Sequence, residues 1–139
     1  MEIIANALQT VQANQNVYFT DQVTNGNCSI AHRDGSGLVT LRGLTNQCRA
    51  RYKVSFGANI ALPTGATVGP IQLAIALEGE AIPVTTMIVT PAAVEQFNHI
   101  YGATFIDVPR GCCVTVSVQN TGTEAVEVQN AILMAERVA

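Results

Sequence analysis

Tryptophan is absent, aromatic residues make up only 5% of the chain and histidine occurs twice, so indole platforms and histidine-based catalysis have little to build on. Charge is equally scarce: 12% of residues are charged, against about 25% in an average soluble domain. So poorly charged a surface either aggregates or is covered by partners, which points to a homo-oligomer. There is no basic surplus, the net charge being −3, and this excludes the phosphate-neutralising footprint of a nucleic-acid binder. No apolar run approaches the ~18 residues of a spanning helix, so no membrane partner is expected. The opening "MEIIANALQTVQANQ" lacks the basic start and long apolar stretch of a signal peptide. The chain is therefore expected to be made in a cytoplasm, where its four cysteines start reduced. Without secretion the sequon Asn27-Cys28-Ser29 carries no meaning.

What is present is β periodicity. In "RARYKVSFGANIAL", residues 49–62, the even positions are Ala50, Tyr52, Val54, Phe56, Ala58, Ile60 and Leu62, whereas the odd positions begin Arg49, Arg51, Lys53, Ser55. Alternation of that length predicts a strand with one face in a core and the other against something polar. A Pro/Gly turn follows, and Ile71, Leu73, Ile75 and Leu77 alternate in turn with Gln72, Ala74 and Ala76. "LEGEAI" predicts a tight hairpin with "PVTTMIV" as its return. Thr90-Pro91 reads as a cap and first helical residue, which predicts one short helical turn near residues 91–98. Further strands are predicted at "NVYFT", "CSIAH", "LVTL", "YGATFIDV", "CVTVSVQN" and "AILMAERV". The sum is an all-β, two-sheet sandwich of about eight to ten antiparallel strands. Residues 1–15 form an arm or first strand and residues 16–139 a single domain.

Catalytic constellations fail on context. His32-Arg33-Asp34 copies a kinase tripeptide without a glycine-rich loop or a strand lysine, and reads as the start of a polar hairpin loop, "HRDGSG". Glu78 and Glu80 flank a hairpin glycine as solvated charges, with no apolar pocket to separate their proton affinities. No enzyme is indicated, and no cofactor. Arg49, Arg51 and Lys53 share a strand face; either they pair with acids such as Asp107, Glu127 or Glu136, or they contact an anion or acidic glycan.

The run "YKVSFGANIAL…GPIQLAIALEGEAIPVTTMIV…FIDVPRGCCVTVSVQNTGTEAVEVQNAILMAERV" resembles the C-terminal domain of bacterial exosporium collagen-like proteins. That domain is itself similar to the trimeric jelly roll of the tumour necrosis factor and complement globular-head group. The likeness spans roughly residues 16–138 and rests on the long central strand, the "L-x-G-x-x-I" hairpin, the "V-P-x-G" turn and the ending "A-x-L-M-A-E-R-V". The chain also resembles small structural proteins of gut bacterial genomes and their phages. It lacks a Gly-X-Y stalk, so a long fibre is not implied.

The resemblance implies a jelly roll assembled as a homotrimer, non-enzymatic, serving as a structural or binding component of a phage virion, or of a spore or bacterial surface. Other virion or surface proteins and host glycans are its implied partners. The sheet holding the first, third, sixth and last strands would surround the threefold axis, with Tyr101, Phe105, Leu133 and Ala135 as candidate interface residues or, equally, as monomer core.

For the cysteines, parity places Cys112 inward with Val114, Val116 and Val118, and Cys113 outward. The same reading turns Cys28 and Cys48 inward. The jelly-roll resemblance then gathers all four at one end of the sandwich. They are expected there as buried reduced thiols, or as a disulfide pairing Cys28 with Cys48 or Cys48 with Cys112. A zinc site with His32 is the weakest option, for want of C-x-x-C spacing.

Overall fold

The computed structural model describes residues 1–24 and 28–139; Asn27 of the sequon lies outside the described residues. Among the described residues twelve strands form two six-stranded antiparallel sheets. In chain order they are β1 (Glu2–Ala5), β2 (Gln9–Val11), β3 (Asp21–Thr24), β4 (Ile30–His32), β5 (Val39–Arg42), β6 (Arg49–Ala61), β7 (Ile71–Leu77), β8 (Glu80–Ala81), β9 (Met87–Val89), β10 (Asn98–Pro109), β11 (Cys113–Asn120) and β12 (Val126–Arg137). One sheet runs β10-β6-β12-β1-β3, with β2 also on β12; the other runs β4-β5-β11-β7-β8, with β9 also on β7. The chain changes sheet after β3, β5, β6, β9, β10 and β11, the crossing pattern of a jelly roll.

The alternation that predicts β6 also directs its burial. Ala50, Tyr52, Val54, Phe56, Ala58 and Ile60 are all fully buried, while Arg51, Lys53 and Asn59 on the other parity keep contact with solvent. From the facing sheet, Leu41, Leu73, Ile75, Val116 and Val118 close the core. Phe19 meets Phe56 edge to face, ring centres 6.3 Å apart. Phe19 also meets His32 edge to face at 6.4 Å, and the His32 Nε2 lies 2.9 Å from the Ser36 carbonyl. The "HRDGSG" segment is thus the β4–β5 hairpin loop with its histidine packed beneath an aromatic ring.

The predicted helical turn is displaced. The single helical turn among the described residues is a 3-10 turn at Pro83–Thr85. Residues 91–97 form bends and a turn instead, because their polar groups bond elsewhere: the Glu95 amide donates to the Leu62 carbonyl, and Glu95 itself sits at φ 58°. That left-handed residue cannot continue a right-handed helix.

One irregularity governs the last strand. Between Gln129 and Ile132 the β12–β6 register shifts, with Asn130 at φ 55° and its amide group donating to the Asn6 side-chain oxygen at 2.6 Å. Val126 and Val128 point inward before this bulge; Ala131, Leu133 and Ala135 do so after it. A single inserted residue exchanges the two faces of the strand.

Candidate functional site

Three rows of side chains run across the middle of the outer face of the β10-β6-β12-β1 sheet. Phe105, Lys53 and Glu136 stand opposite one another in the first, Ala103, Ser55, Met134 and Glu2 in the second, and Tyr101, Gly57, Ile132 and Ile4 in the third. Tyr101 is 59% exposed, Phe105 63% and Met134 41%, an unusual concentration of bare apolar surface on one sheet. Beside Tyr101 and Met134 lies a depression of about 270 Å³ whose lining includes Glu2, Lys53, Ser55, Tyr101, Met134 and Glu136.

Tyr101 and Phe105 therefore lie on this face. Leu133 and Ala135 do not: each is 1% exposed and belongs to the monomer core. The bulge at Asn130 is the reason, since it hands the outer face to Ile132 and Met134. In "AILMA" both parities are apolar, so nothing in that stretch reveals the flip.

Next to this face lies an apolar edge. β10 ends its sheet, and Met87 of β9 packs across to it; a Cβ at Gly102 would stand 3.0 Å from the Met87 sulfur, so a larger residue there would require the methionine side chain to shift. Val84, 87% exposed, and Ile88, 61% exposed, flank a cleft of about 390 Å³ between the β9 and β10 segments. Both residues fall within the stretch read as a plain return strand. Two large aliphatics set among threonines were the available signal.

The basic residues Arg49, Arg51 and Lys53 share the outer face, as their spacing requires. Asp107 occupies two of them. It accepts from Arg51 Nε at 2.8 Å and Nη2 at 3.2 Å, and Arg49 Nε lies 3.4 Å away. Lys53 has no hydrogen bond or ion pair among the described residues, so it is the cation on this face free to meet an anion. The hydrogen bonds from Arg51 hold the Asp107 carboxyl below its ordinary range against a desolvation effect of opposite sign, and the charges of Arg51 and Arg49 add to them. The same bonds raise Arg51. A depressed carboxylate stabilises the fold fully above its unfolded value, about 4, and loses that contribution as pH falls through the folded value. Asp107→Asn is expected to lower stability slightly at neutral pH, the effect being small because the pair is solvated, and to change little at pH 3, so that the difference between the two pH values shrinks. Urea midpoints at pH 7 and pH 3 check it.

The cysteines depart from expectation. Cys28, Cys48 and Cys112, read as inward, are all exposed, as is Cys113, and none lies within disulfide distance of another. Strand parity was applied where no strand runs. Cys28 lies in a turn before β4, Cys48 in a bend before β6, and Cys112 in the β10–β11 turn. No group of three or more metal-ligating side chains is found among the described residues.

The fold is that of the tumour necrosis factor and complement globular-head jelly roll. The globular domain of a zebrafish complement 1qA protein aligns with TM-score 0.67 over 99% of this chain and 95% of its own, at 12% identity. The Eiger tumour necrosis factor of S. frugiperda aligns with TM-score 0.69 over 100% and 92%, again at 12% identity. Murine APRIL aligns with TM-score 0.51 over 96% and 98%, also at 12% identity. At such identity the likeness concerns the fold alone. Comparison with protein-family models and with curated protein sequences gives no match.

Proposed function

We propose that this chain is a non-enzymatic module that assembles as a homotrimer and serves a structural or binding role on a particle surface. A phage virion is its first location, and a spore or bacterial surface its second. The observation that carries the assembly is the bare apolar face of Tyr101, Phe105 and Met134 beside the apolar edge of Val84 and Ile88. A face and a separate edge on one molecule make a head-to-tail contact, which closes as a ring rather than a two-fold pair. The resemblance to exosporium and tumour necrosis factor-like domains supplies the count of three, and the resemblance to small phage structural proteins supplies the particle. Carbohydrate binding is the alternative role, with Lys53 beside Arg49 and Arg51 as the contact for an acidic sugar.

Light scattering on the purified chain is expected to give three chain masses at micromolar concentration. Phe105→Asp and Met134→Asp together remove about 2 kcal/mol of apolar burial apiece and should weaken each contact by a factor of about 100 or more, leaving monomer. A monomeric mass for the unsubstituted chain would overturn the trimer. A glycan array decides the binding role: a specific acidic-glycan signal lost in Lys53→Ala favours the lectin, and silence on every sugar sinks it.

A further inference from the structure

All four cysteines and five of the seven basic residues lie at one end of the sandwich. The backbone gathers them. Arg42 Nη1 donates to the Cys28 carbonyl at 2.9 Å, the Gly43 amide to the Cys112 carbonyl at 2.8 Å, and the Arg110 amide to the Cys48 carbonyl at 3.0 Å. Cys113 stands opposite Arg42 in the β11–β5 ladder, and Arg137 Nη1 reaches the Leu44 carbonyl at 2.6 Å. Arg49 and Arg51 complete the five, and Asp107 is the side-chain carboxylate paired with them. Neither Arg42 nor Arg110 has a carboxylate partner among the described residues. The Glu78 carboxylate accepts from the Thr115 amide, two residues along β11 from Cys113, so this thiol-bearing pole sets five arginines against Asp107 and Glu78 and remains basic in a chain of net charge −3.

The Cys112–Cys113 doublet is displayed on a rigid turn. The Cys112 amide donates to the Pro109 carbonyl at 3.0 Å, Gly111 takes φ 75°, and its amide donates to the Gly43 carbonyl at 3.0 Å. Gly43 is packed so closely that a Cβ there would lie 2.1 Å from the Pro109 oxygen. Both thiols are exposed, reduced and unable to reach a partner within the chain.

We propose that this doublet, framed by Arg42 and Arg110, is a thiol–disulfide exchange site for small anionic disulfides. A thiolate of Cys112 or Cys113 attacks one sulfur of the incoming disulfide. The protein–ligand S–S bond forms as the ligand's own S–S bond breaks, and the departing thiolate takes up a proton. The disulfide is the oxidant, and no other reactant is needed. Coupling between two copies through this pole is opposed by like charge, whereas an anionic reagent is drawn to it.

The test uses the intact reduced protein with glutathione disulfide, which is anionic, and cystamine, which is cationic. Each rate is divided by that of a short peptide containing Gly-Cys-Cys-Val, to remove intrinsic reactivity. The normalised rate for glutathione disulfide is expected to exceed that for cystamine by about tenfold or more at low ionic strength. The excess should collapse near 1 M salt, where the Debye length is about 3 Å. Peptide mass spectrometry should place the adduct on Cys112 or Cys113, and Arg110→Gln should shrink the excess. Equal normalised rates, or adducts confined to Cys28 and Cys48, would overturn the proposal. None of these readouts depends on whether the chain is a trimer.

Discussion

Phe56→Ala is expected to destabilise the protein by about 4 kcal/mol, a large share of the 5–15 kcal/mol that holds a domain of this size together. Phe56 sits mid-way along β6, the strand that joins β10 and β12 through the centre of its sheet, and its ring is fully buried. Removal forfeits the transfer energy of the ring, leaves a cavity in a wall of residues that are themselves 0% exposed, and ends the edge-to-face contact with Phe19. Phe19 in turn covers His32, so the β4–β5 hairpin should loosen with it. Thermal unfolding is expected to fall by roughly 12 °C or more. Phe56→Leu keeps most of the apolar volume and should cost about 1–2 kcal/mol. Both measurements need a fixed protein concentration, since assembly adds its own stabilisation. A loss below about 1 kcal/mol for the alanine variant would mean that β6 is not the keel of the core.

Asn120→Ala should cost about 3 kcal/mol for a different reason. Asn120 is fully buried, and its carboxamide makes three of its four possible hydrogen bonds: it donates to the Val11 carbonyl at 3.1 Å and the Glu124 carbonyl at 2.9 Å, and accepts from the Gly122 amide at 3.0 Å. Its backbone adds two more bonds, donating to the Gln15 carbonyl and accepting from the Asn14 amide, each at 2.9 Å. This one residue ties the end of β11 to β2, to the loop before β12 and to the segment between β2 and β3, which bridges to β11 at Asn16 and Gln119. Truncation strands two carbonyls and an amide at about 1–3 kcal/mol each before water relieves part of the loss. Hydrogen exchange offers the sharper readout: amides of residues 9–17 should lose protection well before those of β6. Uniform loss across the chain would argue against a local clamp.

The long alternations were legible because a pleated strand carries its own record. β6 buries the parity that sequence assigns it; β7 buries Ile71, Leu73 and Ile75 as assigned, but it also buries Ala74 and Ala76 of the other parity and leaves Leu77 half-buried at its end. The hairpin at Glu78-Gly79 was equally legible, and both residues take the positive φ that such a turn demands, 55° and 81°. Outside strands that record stops. Parity carried back from Val114 to Cys112 crosses the strand boundary into a turn, and there it has no meaning. Carried across Asn130 it has the wrong sign. The Thr90-Pro91 start signal was sound local chemistry, but the loop found better partners in Leu62 and Thr64.

Sequence alone determined the all-β architecture, the residues that fill the β6 and β7 faces of the core, and the outward set of Arg49, Arg51 and Lys53. These follow from alternation, which is a property of neighbouring residues and survives any arrangement of the strands. Tertiary structure alone decided that Met134 rather than Leu133 faces out, that Asp107 among the three candidate acids holds Arg51, and that the four thiols gathered at one end are exposed rather than buried. Each of those depends on where a bulge falls or which distant strand lies alongside. Such contacts are fixed by the closing of long loops and the packing of two sheets, and no window of adjacent residues contains them.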